Sequence, residues 1–347
     1  MIFQKLNKLK RGDKVAIISP SFAAPAIWPE VYQLGLDRLQ NQFGLIPVEY
    51  PTTARLNATK EDRMTDIIKA FVDPEIKGVI ATLGGSDQVT YIKNLAREVF
   101  INNPKPFYGF SDNSHLSNFL WLNGIPSFYG GSLFGQFAMP EKIDSFTAKY
   151  LELSLFSEKQ EFLTSSSVHC EYSRTDWGDF ETMSEEREFI PNKTGWLWDG
   201  EIDTSEIAWG GCLESIDEML RHGVLIPSRE EFENIVLVLE TSEEIPSHDY
   251  VSRVIRALGE RNLLEKIGGV LVGRPDTGAM DKTRSHEWRE EYRKGQAQTI
   301  IEQIRNYNKT CPIIQNMDFG HTHPQICLPL GQMVEIKSSD RTIKIQF

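Results

Sequence analysis

Short, continuous apolar runs punctuate the chain. Val15-Ala16-Ile17-Ile18, Gly78-Val79-Ile80-Ala81-Thr82-Leu83 and Pro106-Phe107-Tyr108-Gly109-Phe110 fall in the first half, Ile235-Val236-Leu237-Val238-Leu239 and Gly269-Val270-Leu271-Val272-Gly273 in the second. Runs of this length, without polar alternation, predict strands buried on both faces, as in parallel sheets. Between them the period changes. Met64, Ile67, Ile68 and Phe71 fall at i, i+3, i+4 and i+7, and Val251, Val254, Ile255 and Leu258 repeat that spacing, so each set predicts a helix with one apolar stripe to lay on a sheet. Ile216 to Leu220 reads as a further helix. The alternation predicts βαβ units. At the end, Met333-Val334-Glu335-Ile336 and Thr342-Ile343-Lys344-Ile345 flank Ser338-Ser339-Asp340-Arg341 and read as a hairpin.

The pattern lapses from about Glu158 to Gly200, where Ser, Thr, Asp, Glu and Trp follow one another without a period. With 347 residues, enough for about two domains, the expected layout is an N-terminal domain over 1–160, a linker over 161–200 and a C-terminal domain over 201–347. A content of 40% hydrophobic and 25% charged residues excludes a mainly disordered chain. The 49 acidic against 37 basic side chains leave a net charge of -12, which repels phosphate backbones and anionic lipid, and the longest basic stretch is Lys8-Leu9-Lys10-Arg11. Nucleic acid and membrane are therefore not expected partners. Charges interrupt the first residues, and no stretch reaches the ~18 apolar residues of a membrane span, so a cytoplasmic location is expected. Cys170, Cys212, Cys311 and Cys327 form no C-x-x-C pair and are expected to be reduced thiols.

Ligands of open α/β sheets gather beyond the carboxyl ends of the strands, so the residues that follow each strand carry the candidate chemistry. Gly84-Gly85-Ser86-Asp87 follow the second run, Ser111-Asp112-Asn113-Ser114 the third, Glu240-Thr241 the run ending at Leu239, and Gly320-His321-Thr322-His323 the run from Pro312 to Asp318. Gly109-Phe110-Ser111-Asp112 stands between a strand and a helix carrying Leu116, Phe119 and Leu120, the setting of a nucleophile elbow, although Asn113 replaces the last glycine of G-x-S-x-G. A helix-capping role for Ser111 or Asp112 fits the same four residues. A serine nucleophile needs a base and a group to orient that base. His321 and Glu240 are the candidates, against the simpler alternatives of a polar loop histidine and a solvated carboxylate. Gly84-Gly85 is either a tight turn or, with the amide of Asp112, an oxyanion hole. His321, His323 and Cys327 lie close enough in sequence to raise zinc, but no fourth ligand or H-E-x-x-H accompanies them, so no metal is expected.

Taken in order, these stretches resemble the LD-carboxypeptidase family of serine peptidases, which includes the microcin C immunity proteins. Lys10-Arg11-Gly12-Asp13-Lys14-Val15-Ala16, Ser19-Pro20-Ser21, Gly84-Gly85, Gly109-Phe110-Ser111-Asp112, Trp209-Gly210-Gly211-Cys212-Leu213-Glu214, Leu237-Val238-Leu239-Glu240, Phe319-Gly320-His321 with Pro324, and Leu328-Pro329-Leu330-Gly331 carry the resemblance. It implies an α/β protein with a flavodoxin-like N-terminal domain, a smaller β-rich α/β C-terminal domain, an active site in the cleft between them, a homodimer and no cofactor. It also implies Ser111 as nucleophile, His321 as base, Glu240 as its orienting carboxylate, and the Gly85 and Asp112 amides as oxyanion hole. Cys212, where the family often has Asn, and the tryptophan-rich Gly195-Trp196-Leu197-Trp198 look like the immunity branch, whose substrate is an aminoacyl-nucleotide, more than the branch that removes D-alanine from muropeptides. Trp196, Trp198 and Glu214 are then the substrate-binding candidates, a tryptophan offering a stacking face to a purine. Two other classes fit the same residues: an anion-binding α/β protein without a covalent step, and an α/β-hydrolase esterase with the same chain order of Ser, acid and His.

Overall fold

The computed structural model describes residues 1–171, 176–233, 235–278 and 284–347. It is a mixed α/β protein of two compact units of similar size. Met1–Glu158, Thr175–Arg187 and Gln325–Gly331 make the first, and Lys159–Arg174, Glu188–Pro324 and Gln332–Phe347 the second.

The buried runs of the first half become β1 (Lys14–Ile18), β3 (Ile76–Ala81) and β4 (Phe107–Gly109), joined by β2 (Ile46–Glu49) and β5 (Ser127–Tyr129). They pair in the order β2-β1-β3-β4-β5, all parallel, with Leu328–Leu330 added antiparallel at the β5 edge. This is the flavodoxin-like strand order. Helices α1 (Pro29–Phe43), α2 (Lys60–Val72), α3 (Arg97–Asn102), α4 (Ser114–Leu122) and α5 (Ser145–Phe156) complete the unit. The start of α2 is fixed by a capping box in which Thr59 and Asp62 exchange side-chain and backbone hydrogen bonds.

Residues 161–200, expected as a linker, hold β6 (Gln160–Phe162), β7 (Val168–Glu171), β8 (Ile190–Pro191) and β9 (Leu197–Asp199). These are two to four residues long, and three find their partners far along the chain, so no local period marks them. Further on lie β10 (Thr204–Cys212), α6 (Leu213–His222), α7 (Arg229–Phe232), β11 (Ile235–Glu240), α8 (His248–Glu260), β12 (Gly269–Gly273), α9 (His286–Tyr307), β13 (Ile313–Met317) and β14 (Thr322–His323). After β15, the Leu328–Leu330 strand, come β16 (Met333–Lys337) and β17 (Thr342–Gln346). The eight-stranded sheet runs β6-β17-β16-β10-β11-β12-β13-β9. Its centre, β10 to β13, is parallel and mostly buried, and the antiparallel β16 and β17 form the expected terminal hairpin. The sheet is flanked by α6, α8 and α9, and α8 carries the stripe of Val251, Val254, Ile255 and Leu258, all buried.

Candidate active site

In the first unit, Ser111 follows β4 and opens a single turn of 3-10 helix that runs into α4. Its φ of 62° lies in the left-handed region, which costs a non-glycine residue on the order of 1–3 kcal/mol and persists only where the surroundings enforce it. The surroundings are specific. Tyr129 Oη receives the Ser111 amide at 3.2 Å. Asn113, standing where a glycine was missed, donates through Nδ2 to the carbonyls of Leu83 at 3.1 Å and Phe110 at 3.0 Å, and accepts from Gln88 at 2.9 Å. Thus Asn113 ties the Ser111 turn to the loop after β3.

That loop presses on the serine. A Cβ on Gly84 would lie 2.9 Å from Ser111 Cβ and 3.1 Å from its Oγ, so only glycine fits against the hydroxyl-bearing carbon. Asp112 holds the same loop from the other side: its carboxylate accepts from the amides of Asp87 at 3.0 Å and Gln88 at 3.2 Å. Burial pushes this carboxyl up, but the hydrogen bond and charge of His115, helped by Ser21 and the Gln88 amide, bring it below the usual carboxylate range. Asp112 therefore stays ionised and clamps the loop. Gly85 packs on Ser21 of the β1 end, so three strand ends of the parallel sheet, β1, β3 and β4, meet around Ser111.

In the second unit, Glu240 ends β11 and His321 follows β13, and the pair is made: His321 Nδ1 lies 2.7 Å from Glu240 Oε2, with both side chains buried. The sheet order explains how. β12 lies between β11 and β13 and ends in Gly273, whose missing side chain leaves the space a Cβ would contest with Glu240 Cβ at 2.7 Å. Gly320 completes the passage: it has a φ of 94°, and a Cβ there would lie 2.4 Å from Glu240 Oε2. A side chain at either position would block the carboxylate from the ring.

Glu243, which the sequence leaves as a loop carboxylate, reaches His321 Nε2 at 3.1 Å while half-exposed. Burial acts to lower the imidazole, but the charges of Glu240 and Glu243 and the Glu240 hydrogen bond outweigh it and raise its pKa to about 10. Both ring nitrogens are thus engaged by carboxylates. Glu214, at the start of α6, accepts from the Ser242 amide at 3.0 Å and hydroxyl at 2.8 Å, and Cys212 Sγ lies 3.1 Å from its other oxygen. Burial first, and the charge of Glu240 second, raise its pKa. It pins the loop that carries Glu243.

Trp196 and Trp198 are half-buried in the second unit. The Trp196 indole donates to Asp318 Oδ2 at 2.8 Å, beside the buried Arg274–Asp318 ion pair, and Trp198 sits in β9 opposite Ile314. The sequence reading passed over another aromatic group in the first unit. Trp28 meets Trp177 at 5.2 Å and Phe22 at 6.0 Å between ring centroids, and Phe134 meets Trp177 at 5.3 Å. Phe22 N donates to Gly84 O at 3.1 Å, which sets this cluster next to the Ser111 turn. Its one sequence signal is a lone tryptophan in an otherwise polar stretch.

Comparison with known proteins makes the chain a hydrolase of the peptidase class. The chain belongs to the LD-carboxypeptidase family: models of the LD-carboxypeptidase N-terminal and C-terminal domains match residues 15–130 and 206–336. It is similar over almost its whole length to the microcin C7 self-immunity protein MccF of Escherichia coli, 22% identical with 96% of this chain and 93% of the relative covered. A Bacillus subtilis (strain 168) protein named as a murein peptide carboxypeptidase is also 22% identical, covering 99% and 94%. The crystal structure of an MccF-like protein from Streptococcus pneumoniae, in complex with AMP, shares the fold with a TM-score of 0.83 at 24% identity, covering 97% of this chain and 99% of that one.

Proposed function

We propose that the chain is a Ser-His-Glu hydrolase that cleaves an amide-type acyl bond in an aminoacyl-nucleotide or small peptide. Ser111 attacks the carbonyl carbon, its proton passes to His321 Nε2, and Glu240 accepts the hydrogen bond of Nδ1–H and stabilises the imidazolium without taking the proton. The oxyanion is taken by the amides of Gly85 and Asp112. Collapse of the tetrahedral intermediate returns the proton to the departing amine, and water then releases the acyl group from Ser111. The observation that carries this reading is the buried Glu240–His321 hydrogen bond at 2.7 Å, for which Gly273 and Gly320 leave room. The strained φ of Ser111 supports it.

The preference for a nucleotide rests on the aromatic cluster of Phe22, Trp28 and Trp177 beside the Ser111 turn, on the AMP bound by the MccF-like structure, and on the microcin immunity relative. Trp196, Trp198 and Glu214 belong to the same proposal as further substrate contacts, as do a homodimer and a cytoplasmic location. Among the described residues no helix is long and apolar enough to cross a membrane.

The test is to incubate the protein with an aspartyl-adenylate analogue and, separately, with a muropeptide tetrapeptide. Cleavage of the first is expected; cleavage of the tetrapeptide alone moves the assignment to the recycling branch. Ser111→Ala is expected to abolish turnover with folding intact, and a serine-directed covalent probe to label Ser111 and lose that labelling in His321→Ala. Undiminished turnover in Ser111→Ala, or a probe that never labels, removes the covalent mechanism.

A further inference from the structure

A cavity of about 550 Å³ lies within the second unit, beyond the ends of β12 and β13, lined by residues of those strands, α9 and the segment from Ile190 to Leu197. None of Ser111, Glu214, Glu240 and His321 lines it. Its volume falls within the roughly 300–1,000 Å³ of small-molecule sites, and its position at the carboxyl ends of parallel strands is where such folds take ligands.

The chemistry of the wall is uneven. Ile190, Leu197, Val272, Ala297 and Ile300 supply apolar surface, while Lys193, Arg293 and Lys294 supply cationic groups. Of these, Arg293 pairs with the buried Glu171, but Lys193 and Lys294 are exposed and make no ion pair among the described residues. Among the described residues of the wall the one acidic side chain, Glu290, faces His286 at 3.1 Å. A local excess of positive charge stands out in a chain with a net charge of -12.

A second observation points the same way. His169, 7% exposed and part of the wall, has its Nε2 at 3.2 Å from an Arg293 nitrogen. A guanidinium only donates, so Nε2 must accept and the ring proton sits on Nδ1. That buried N–H has no acceptor among the described residues. Gln296, 1% exposed and also in the wall, touches Thr241 with one end of its amide at 3.1 Å and leaves the other end without a partner among the described residues. Buried polar groups are normally satisfied, and the exceptions ask for a missing partner. An anion answers the histidine.

We propose that this cavity is a second ligand site, for a small amphipathic anion: an apolar body of a few carbons on the Val272, Ala297 and Ile300 side and a terminal carboxylate or phosphate toward Lys193, Lys294 and His169. The site is separate from the hydrolytic one and does not depend on what that one cleaves.

The test uses hexanoate and hexyl phosphate as probes, with hexan-1-ol as neutral control, titrated calorimetrically into the full chain. Saturable one-to-one binding of at least one anion is expected, with a Kd below about 1 mM, and at least about tenfold weaker binding of the alcohol. The stronger of the two anions tells carboxylate from phosphate. Lys193→Glu combined with Lys294→Glu, both surface changes, is expected to weaken binding about tenfold or more, and Ala297→Phe, which fills the apolar end, to abolish it. If Ala297→Phe fails to fold, the lysine pair decides alone. Absence of saturable binding by both anions, or binding that the lysine pair leaves unchanged, overturns the proposal.

Discussion

Glu243→Gln removes one negative charge 3.1 Å from His321 Nε2 and leaves the Glu240 hydrogen bond in place. Glu243 is 52% exposed and His321 only 3%, so the dielectric of water sets the lower limit of their interaction. Two unit charges at this distance then interact by at least ~1.3 kcal/mol, close to one unit of pKa. His321, raised to about 10 by Glu240 and Glu243 against its burial, should fall by at least that unit. A general base acts when neutral, so the ascending limb of kcat/KM against pH should move down by at least about one pH unit, and the rate at pH 7 should rise up to about tenfold per unit. Stability should move the other way. A histidine whose folded pKa exceeds its unfolded value near 6.5 adds stability that is complete below pH 6.5 and lost as pH rises through about 10. Glu243→Gln should therefore lower Tm at pH 6 and leave it unchanged above pH 10. Both effects are read from a pH series of initial rates and thermal melts, with the imidazole titrated by NMR. An ascending limb that stays in place, or moves upward, refutes the claim that Glu243 loads the base.

Three further outcomes follow from the geometry. Ser111→Gly should end turnover yet raise stability by about 1 kcal/mol, since glycine adopts the φ of 62° without strain; a stability equal to or below that of the parent would mean that the turn is not strained. Gly320→Ala should cost at least about 2 kcal/mol and most of kcat, because the new Cβ falls 2.4 Å from Glu240 Oε2 at a positive φ; denaturant melts and kcat check the two parts separately. Trp177→Ala should raise KM for a nucleotide substrate more than Trp196→Ala does, with base stacking worth ~1–3 kcal/mol; the reverse ranking would shift the base to the Trp196 side.

The parallel core was plain in the linear pattern. β1, β3, β11 and β12 are apolar runs whose residues are buried almost without exception, and any chain so written must hide them on both faces. The residues at their ends were equally open to reading, because a carboxylate at the end of five buried aliphatics is costly without a partner, and Glu240 has one. Less was legible between residues 158 and 200. Two- to four-residue strands bury too little to impose a period, and they exist because distant edges receive them: β6 on β17, β7 on β14, β9 on β13. The return of Gln325–Gly331 to the first unit, through the pairing of β15 with β5, has the same origin. α9 was missed for a different reason: its 22 residues are polar on most faces, so packing on α8 and β13 holds it as a helix.

Composition, periodicity and the short motifs thus determined which segments are buried, which secondary structure they take, and which residue types stand at the strand ends, because these follow from the neighbours of each residue along the chain. Tertiary structure alone decided who meets whom. The insertion of β12 between β11 and β13, with glycine at its tip, lets Glu240 reach His321. The loop pinned by Glu214 brings Glu243 to the other ring nitrogen, and the clamp of Asp112, Asn113 and Gly84 holds Ser111 in a conformation it would not choose by itself. Each of these depends on strand order and on contacts between residues tens of positions apart, and local sequence preferences carry no information about such distances.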